Sequence, residues 1–326
     1  MRPFAYRRAS DENDAVAMAA AQPGAAFVAG GTDFMQLWKA GISAPGLVID
    51  ISRLPLDAVT VRADRIAIGT LARLSEVADH PAIRRDYPVI AEALLASASP
   101  QVRNVATVGG NLLQRTRCAY FRGAALPCNK RLPGSGCGAI EGENRLHAIF
   151  GASGHCAATH PSDLAVALVA LGASVRLRGN DAERVLPVED FFLLPGEHPE
   201  RETALGDGEL IVEIEVPRNA AGRSRYLKVR DRASFEFAVV SAAVALDVED
   251  GLIRTARIAA GGVGTKPWRL PGCEAALASA RLGAAAFRQA AELAAAGARP
   301  LSGNGFKVDL LKRTVLRALK DVGEMA

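Results

Sequence analysis

Three of the chain's five cysteines fall in one stretch, "RTRCAYFRGAALPCNKRLPGSGCG" at 115–138, and a fourth follows at Cys156. Nine, eight and eighteen residues separate Cys118, Cys128, Cys137 and Cys156, in a Gly-, Pro- and Arg-rich segment with no helical or strand period. Thiolates are metal ligands, and four can close around one tetrahedral zinc or a four-iron cluster. Zinc sites usually draw on paired C-x2–4-C hooks, and none occurs here, so the wide spacing suits the larger cluster. Zinc and unliganded thiols stay as the other two readings. Arg115, Arg117, Arg122, Lys130 and Arg131 lie among the thiols; they would offset a cluster's negative charge and raise its potential, or else are ordinary solvated loop charges. His147, His155 and His160 read as hydrogen-bonding or surface histidines, with His155 beside Cys156 as a substitute ligand. Cys273 sits far off in an Ala-rich region and reads as a small apolar side chain.

A second chemical signal is carried by two glycine pairs, "VAGGTD" (Val28, Ala29, Gly30, Gly31, Thr32, Asp33) and "ATVGGN" (Ala106, Thr107, Val108, Gly109, Gly110, Asn111). Each follows a run of strand character. Glycine admits positive φ and leaves backbone N–H groups open, and successive N–H groups form a concave nest for a phosphate oxygen. Thr32 and Thr107 add hydroxyls. Either pair alone reads as a tight turn; together they point to a pyrophosphate site that is neither a Rossmann nor a Walker loop. "GSGCGA" at 134–139 fits G-x-G-x-x-A formally, but Pro133 precedes it and no strand-to-helix transition surrounds it, so it is not a dinucleotide fingerprint.

The elements that must position these residues alternate. The chain's 326 residues are enough for two or three domains. Apolar residues make up 49% and charged residues 23%, with a net charge of +4 and no basic block, which argues for globular cores and against nucleic-acid binding. The longest apolar run, Leu164–Val175, is too short to span a bilayer. No apolar stretch follows Arg7 and Arg8, so an export signal is not expected. Ser10 is expected to cap a helix through "DENDAVAMAAA". "AAFV", "GLVIDIS", "RIAIGT", "SVRLRG" and "ELIVEIEVP" read as strands; "LSEVADH", "IRRDYPVIAEALLASAS" and "SDLAVALVAL" read as helices. From about residue 222 a hairpin turning at Asp250-Gly251 is followed by an Ala-rich helix around 274–296 and a last helix in "KVDLLKRTVLRALKDV".

"AGGTD", "RNVATVGGNLLQ", "HPSDLAVAL" and "KVRDRASFEFAVVSAAV" together resemble the FAD-binding subunits of the xanthine dehydrogenase family of molybdenum hydroxylases. The cysteine segment is similar to that of the flavin subunits of periplasmic aldehyde oxidoreductases, which hold a [4Fe–4S] cluster in an insertion. The resemblance covers nearly the whole chain. It implies an α+β fold: residues 1–220 as a two-part FAD-binding region of the vanillyl-alcohol-oxidase (PCMH) type, with the insertion at about 115–160, and residues 222–326 as a domain like the C-terminal domain of CO dehydrogenase flavoproteins. It implies FAD held by residues 28–33, by Thr107 and Gly109–Asn111, by Asp163 of the Ser-Asp motif, by Ile211 against the ring and by Lys228. It places the loop Val229–Phe237 beside the isoalloxazine; "RASFEF" lacks the acidic pattern of NAD-reducing relatives, which speaks against NAD. It assigns the cluster to Cys118, Cys128, Cys137 and Cys156. It implies a heterotrimer with a large molybdenum-cofactor subunit and a small [2Fe–2S] subunit, and an external acceptor such as a ferredoxin or quinone. A twin-arginine signal on the small subunit would place the assembly in the periplasm, the cytoplasm being the alternative. A 4-hydroxybenzoyl-CoA reductase-like flavin subunit and a zinc-stapled module without redox function are the competing readings.

Overall fold

A computed structural model of the chain describes residues 3–218 and 223–325. The domain boundary expected at 220–222 lies outside the described residues.

The first unit is a parallel three-stranded sheet, order β1-β3-β2, of β1 (Ala5–Arg8), β2 (Ala26–Val28) and β3 (Leu47–Asp50). Parallel neighbours need crossovers, supplied by α1 (Glu12–Ala21) and α2 (Phe34–Lys39). The cap of α1 is Asp11, whose carboxylate accepts from the Asp14 amide, and not Ser10. Ser10 instead donates through N and Oγ to Asp14. β1 was not legible: its four residues are all exposed, so no alternation marks them.

β4 (Val59–Val61) and β5 (Arg65–Gly69) open a five-stranded antiparallel sheet that later takes β6 (Ser174–Arg178), β7 (Glu183–Pro187) and β8 (Leu210–Pro217), in the order β4-β5-β8-β6-β7. The alternation of β8 explains its faces. Ile214 and Val216 enter the main core, while Glu213 and Glu215 meet Arg62, Arg65 and Arg176 on the other side. Helices α3 (Leu74–Asp79), α4 (Pro81–Asp86), α5 (Pro88–Ala96), α6 (Pro100–Arg103) and α7 (Val108–Leu112) follow β5. The single helix expected over 83–99 is broken at Tyr87, because Pro88 has no N–H to continue it and serves as the first residue of α5. The cysteine segment contains two one-turn helices, α8 (Ala119–Arg122) and α9 (Gly138–Glu141). α10 (Asp163–Ala170) runs through the core, capped by the Ser162 hydroxyl, which accepts from the Ala165 amide. The short α11 (Val188–Phe191) follows β7.

The last unit is an antiparallel sheet of β9 (Arg223–Val229), β10 (Val240–Glu249), β11 (Leu252–Gly261) and β12 (Trp268–Arg269). Asp250 and Gly251, both at positive φ, make the expected hairpin turn. β10 reads "SAAVAL" because both of its faces are buried. Ala243 and Ala245 face the main core with α5 and α10, while Ala242, Val244 and Leu246 face a second core under α14 (Lys307–Gly323). The Ala-rich helix expected at 274–296 is two helices, α12 (Pro271–Leu277) and α13 (Ala284–Glu292), separated by Ser279 at positive φ and a pairing of Arg281 with Leu252. Among the described residues no helix is long and apolar enough to cross a membrane.

Candidate functional site

β2 delivers Val28 and Ala29 to the first glycine pair. A Cβ on Gly30 would lie 2.1 Å from the Val105 carbonyl oxygen, so the chain can pass the 105–106 segment only as glycine. Gly31 turns it at φ +68°. The carbonyls of Gly31 and Asp33 accept from Met35 and Leu37 as α2 begins. Among the described residues, the amides of Gly30, Gly31, Thr32 and Asp33 donate to no protein group. They border a cavity of about 330 Å³ lined by 26–34 together with Thr107, Gly110, Leu113, Arg115, Phe121 and Lys130. Four consecutive open amides there suit an anion.

The second pair behaves differently from the equal nest expected of it. It follows no strand; it is the first turn of α7, with Thr107 as cap. Val108 N donates to Ala72 O, Gly109 N to Thr70 O, Gly110 N to the Thr107 hydroxyl and Asn111 N to Thr107 O. A Cβ on Gly109 would meet Thr70 Oγ1 at 1.9 Å, whereas one on Gly110 would meet only Thr107 Oγ1, at 3.0 Å. Gly110 borders both the first cavity and a second one of about 240 Å³. This loop therefore contributes close approach and side chains, with its amides already bonded.

The second cavity gathers Thr32, Asp33, Ser97, Gly110, Asn111, Arg117, Asp163 and Lys228 under Arg232, Phe235, Glu236 and Phe237 of the 229–237 loop. Asp163, at the first turn of α10, is buried and fully ligated. Lys228 Nζ donates to it at 2.7 Å, Tyr226 OH at 2.5 Å and Ser97 Oγ at 2.9 Å. Lys228 also donates to Ala96 O at 3.1 Å, and an ammonium has a third N–H. Burial beside Asp163 pushes the Tyr226 phenol well above its ordinary value, so it stays a donor. Ser162 donates to Asn111 Oδ1 at 2.6 Å, which ties α7 to the cap of α10. Sequence reading brought out Asp163 and Lys228 but missed Tyr226 and Ser97. The signal for Tyr226 was present, since residues two apart on a strand share a face and Tyr226 precedes Lys228 by two. Ile211 stands elsewhere: it is buried in the main core on β8 and lines neither cavity.

Cys118, Cys128, Cys137 and Cys156 all line one small cavity of about 10 Å³ with Tyr120, Phe121, Ala139 and His155, and its accessible wall is apolar. Gly134 and Gly136, both at positive φ, fold the chain back so that Cys128 pairs with Cys137 as an antiparallel bridge; the "GSGCGA" glycines serve this turn. Burial pushes the Cys118 thiol up to about 11 and raises the Cys156 thiol. His147 Nε2 lies 3.2 Å from Cys118 Sγ, a contact the sequence did not suggest. Lys130 reaches past the cavity to Glu202 and the Pro199 carbonyl, and Arg115 also meets Glu202. His160 is held neutral by burial, its pKa lowered to about 3. Cys273 belongs to the second core, as expected. Among the described residues no three His, Cys, Asp or Glu side chains are placed to hold a single metal ion. Phe121 and Lys130 line both the cysteine cavity and the first glycine-loop cavity, so the two are separated by a thin wall.

Comparison with known proteins bears on this geometry. Residues 2–219 match the family described as "FAD binding domain in molybdopterin dehydrogenase", and residues 225–322 match "CO dehydrogenase flavoprotein C-terminal domain". The chain is 45% identical to the aldehyde oxidoreductase FAD-binding subunit PaoB of Escherichia coli (strain K12), over 100% of both chains. It is 26% identical to the carbon monoxide dehydrogenase medium chain of Hydrogenophaga pseudoflava, over 97% of this chain and 96% of that one. The solved carbon monoxide dehydrogenase of Hydrogenophaga pseudoflava superposes with a TM-score of 0.77 at 25% identity, covering 98% of this chain and 97% of that one. That of Oligotropha carboxidovorans superposes at 0.78 with 21% identity over the whole of both chains, a likeness of fold.

Proposed function

The chain belongs to the FAD-binding subunits of the molybdopterin dehydrogenases, and from that premise we propose that it is the FAD- and [4Fe–4S]-bearing electron-transfer subunit of a heterotrimeric molybdenum hydroxylase that oxidises aldehydes to carboxylic acids. Its partners in this reading are a large molybdenum-cofactor subunit and a small [2Fe–2S] subunit, its product electrons go to an external ferredoxin or quinone, and the assembly sits in the periplasm through the small subunit's twin-arginine signal.

The glycine-loop residues suit FAD, and four cysteines lining one cavity support the cluster reading. The open amides of Gly30–Asp33 receive the diphosphate, and Gly110 leaves room for it to pass from the first cavity to the second. Asp163, fixed by Tyr226 and Ser97, holds Lys228 at the flavin end. Phe235 and Phe237, both exposed, line that cavity and offer apolar contact to the ring. The four cysteines would hold the cluster as thiolates, and burial raises the Cys118 and Cys156 thiols in its absence. Bound FAD links one-electron carriers to a two-electron acceptor, and an iron–sulfur cluster passes single electrons. A single zinc needs its four sulfurs roughly 3.8 Å apart, given Zn–S near 2.3 Å, and no such set of side chains is present among the described residues. The observation that carries the reading is the convergence of four cysteines on one small cavity that shares a wall with the glycine-loop cavity.

The chain prepared without oxygen should contain about one FAD, and about four iron and four acid-labile sulfide, the content of one cubane cluster. Stoichiometric zinc without sulfide would overturn the cluster, and a flavin-free, correctly folded chain would overturn the function. Cys128→Ser should lose the iron; unchanged iron content would contradict the ligand assignment.

A further inference from the structure

Asp33 ends the first glycine loop and stands where it should cap α2, yet its carboxylate makes no hydrogen bond to that helix. An acidic residue at a helix start normally accepts from its own first-turn amides. Here both oxygens turn to the cysteine-bearing segment. Oδ1 accepts from Arg122 Nη2 at 2.9 Å and pairs with Arg117 Nη2 at 3.1 Å, and Oδ2 accepts from the Arg115 amide at 2.8 Å. These three partners flank Cys118. Arg122 closes the same turn by donating to the carbonyls of Thr116 and Arg115, both at 2.9 Å, and the Thr116 hydroxyl accepts from the Cys118 amide. Asp33 is about nine-tenths buried, so these are charge-assisted bonds shielded from water. A second, apolar contact runs in parallel: Leu37 of α2 packs on Phe121 and Cys128.

We propose that Asp33 is a positioning residue that fixes the open amides of the first glycine loop to the segment around Cys118, so that filling the cysteine cavity raises the chain's affinity for FAD. The inference rests on the flavin and cluster reading above and adds a coupling between the two sites. The physical step is short. An inorganic group held by Cys118 orders residues 115–122; that segment presents one amide and two guanidinium groups to Asp33; Asp33 in turn sets the loop whose four open amides border the cavity. By linkage, FAD must raise the affinity for the inorganic group by the same factor.

The test is a cycle on the full chain. FAD affinity is measured by flavin fluorescence on chain reconstituted with iron and sulfide, and again after anaerobic iron removal, in the wild type and in Arg122→Met. Arg122 lines neither glycine-loop cavity nor the cysteine cavity, so its effect on flavin passes through the turn it closes, by the Asp33 carboxylate and the Thr116 and Arg115 carbonyls. The expected result is a loss of about tenfold in FAD affinity on iron removal in the wild type, the scale of an ordinary coupling between sites, and no such difference in the variant. Equal wild-type affinity with and without iron overturns the proposal, as does a coupling that survives undiminished in Arg122→Met. A variant that fails to fold leaves the wild-type comparison as the deciding measurement. Failure to bind FAD or iron at all overturns instead the functional reading on which the proposal rests.

Discussion

At residues 30–33 the chain turns with four successive amides that have no partner among the described residues, whereas at 108–111 every amide is bonded to a carbonyl or to the Thr107 hydroxyl. The two glycine pairs nevertheless look alike in sequence. What distinguishes them is what a side chain would strike. Gly30 and Gly109 are glycine because backbone or a buried hydroxyl lies where Cβ would be, and Gly31 because φ is positive. Gly110 alone has no such reason inside the protein. Its Cβ would meet just the movable Thr107 hydroxyl, at 3.0 Å, beside the two cavities, and it is the position where glycine is expected to serve a ligand rather than the fold.

That division is broken most severely at Gly30. Gly30→Ala places Cβ against the Val105 carbonyl, and backbone on both sides must shift. Overpacking of this kind costs about 3 kcal/mol or more. The expected outcome is a large fall in the urea midpoint with flavin lost as a consequence. A variant of normal stability would show that the two loops do not abut as described.

Gly109→Ala comes second, at about 1–3 kcal/mol, because its Cβ meets Thr70 Oγ1. The striking atom belongs to a side chain, so Thr70→Ala should restore part of the loss; the remaining neighbours, at 3.2 and 3.3 Å, are tight but tolerable. A double-mutant cycle in denaturant measures this. Strictly additive losses would remove Thr70 as the reason for the glycine.

The same contrast shows what the sequence could convey. Strands with clean alternation, such as β8, and helices with a capping residue and an apolar run, such as α10, were legible because their signals are local. The cysteines were legible as a group because their residue type is rare. The exposed edge strand β1 and the breaks at Tyr87 and at 278–283 were not, since pairing partners or a single proline decided them. In the site, Asp163 and Lys228 stood out, but Ser97 joins Asp163 from 66 residues away and nothing local marks it. Asp33 was assigned to the cofactor with its whole loop and does border both cavities, but that its carboxylate turns to residues 115–122 depends on three-dimensional packing.

Gly110 should give the smallest change in stability and the clearest change in binding. Its φ is not in the left-handed region, and the residue sits in the first turn of α7, so a side chain is conformationally allowed. Only Thr107 Oγ1 must give way, and that hydroxyl is the movable end of a side chain. Gly110→Val should therefore stay within about 1 kcal/mol of the parent. Its methyl groups, however, enter space beside Gly110, which borders both cavities as Thr32 and Asp33 do. Flavin content should drop by more than tenfold while the melting transition stays put, and iron content should change far less than flavin. Retention of flavin at full occupancy would mean that the ligand does not pass Gly110. The glycine would then need another explanation, and the contrast between the two loops would reduce to one of packing alone.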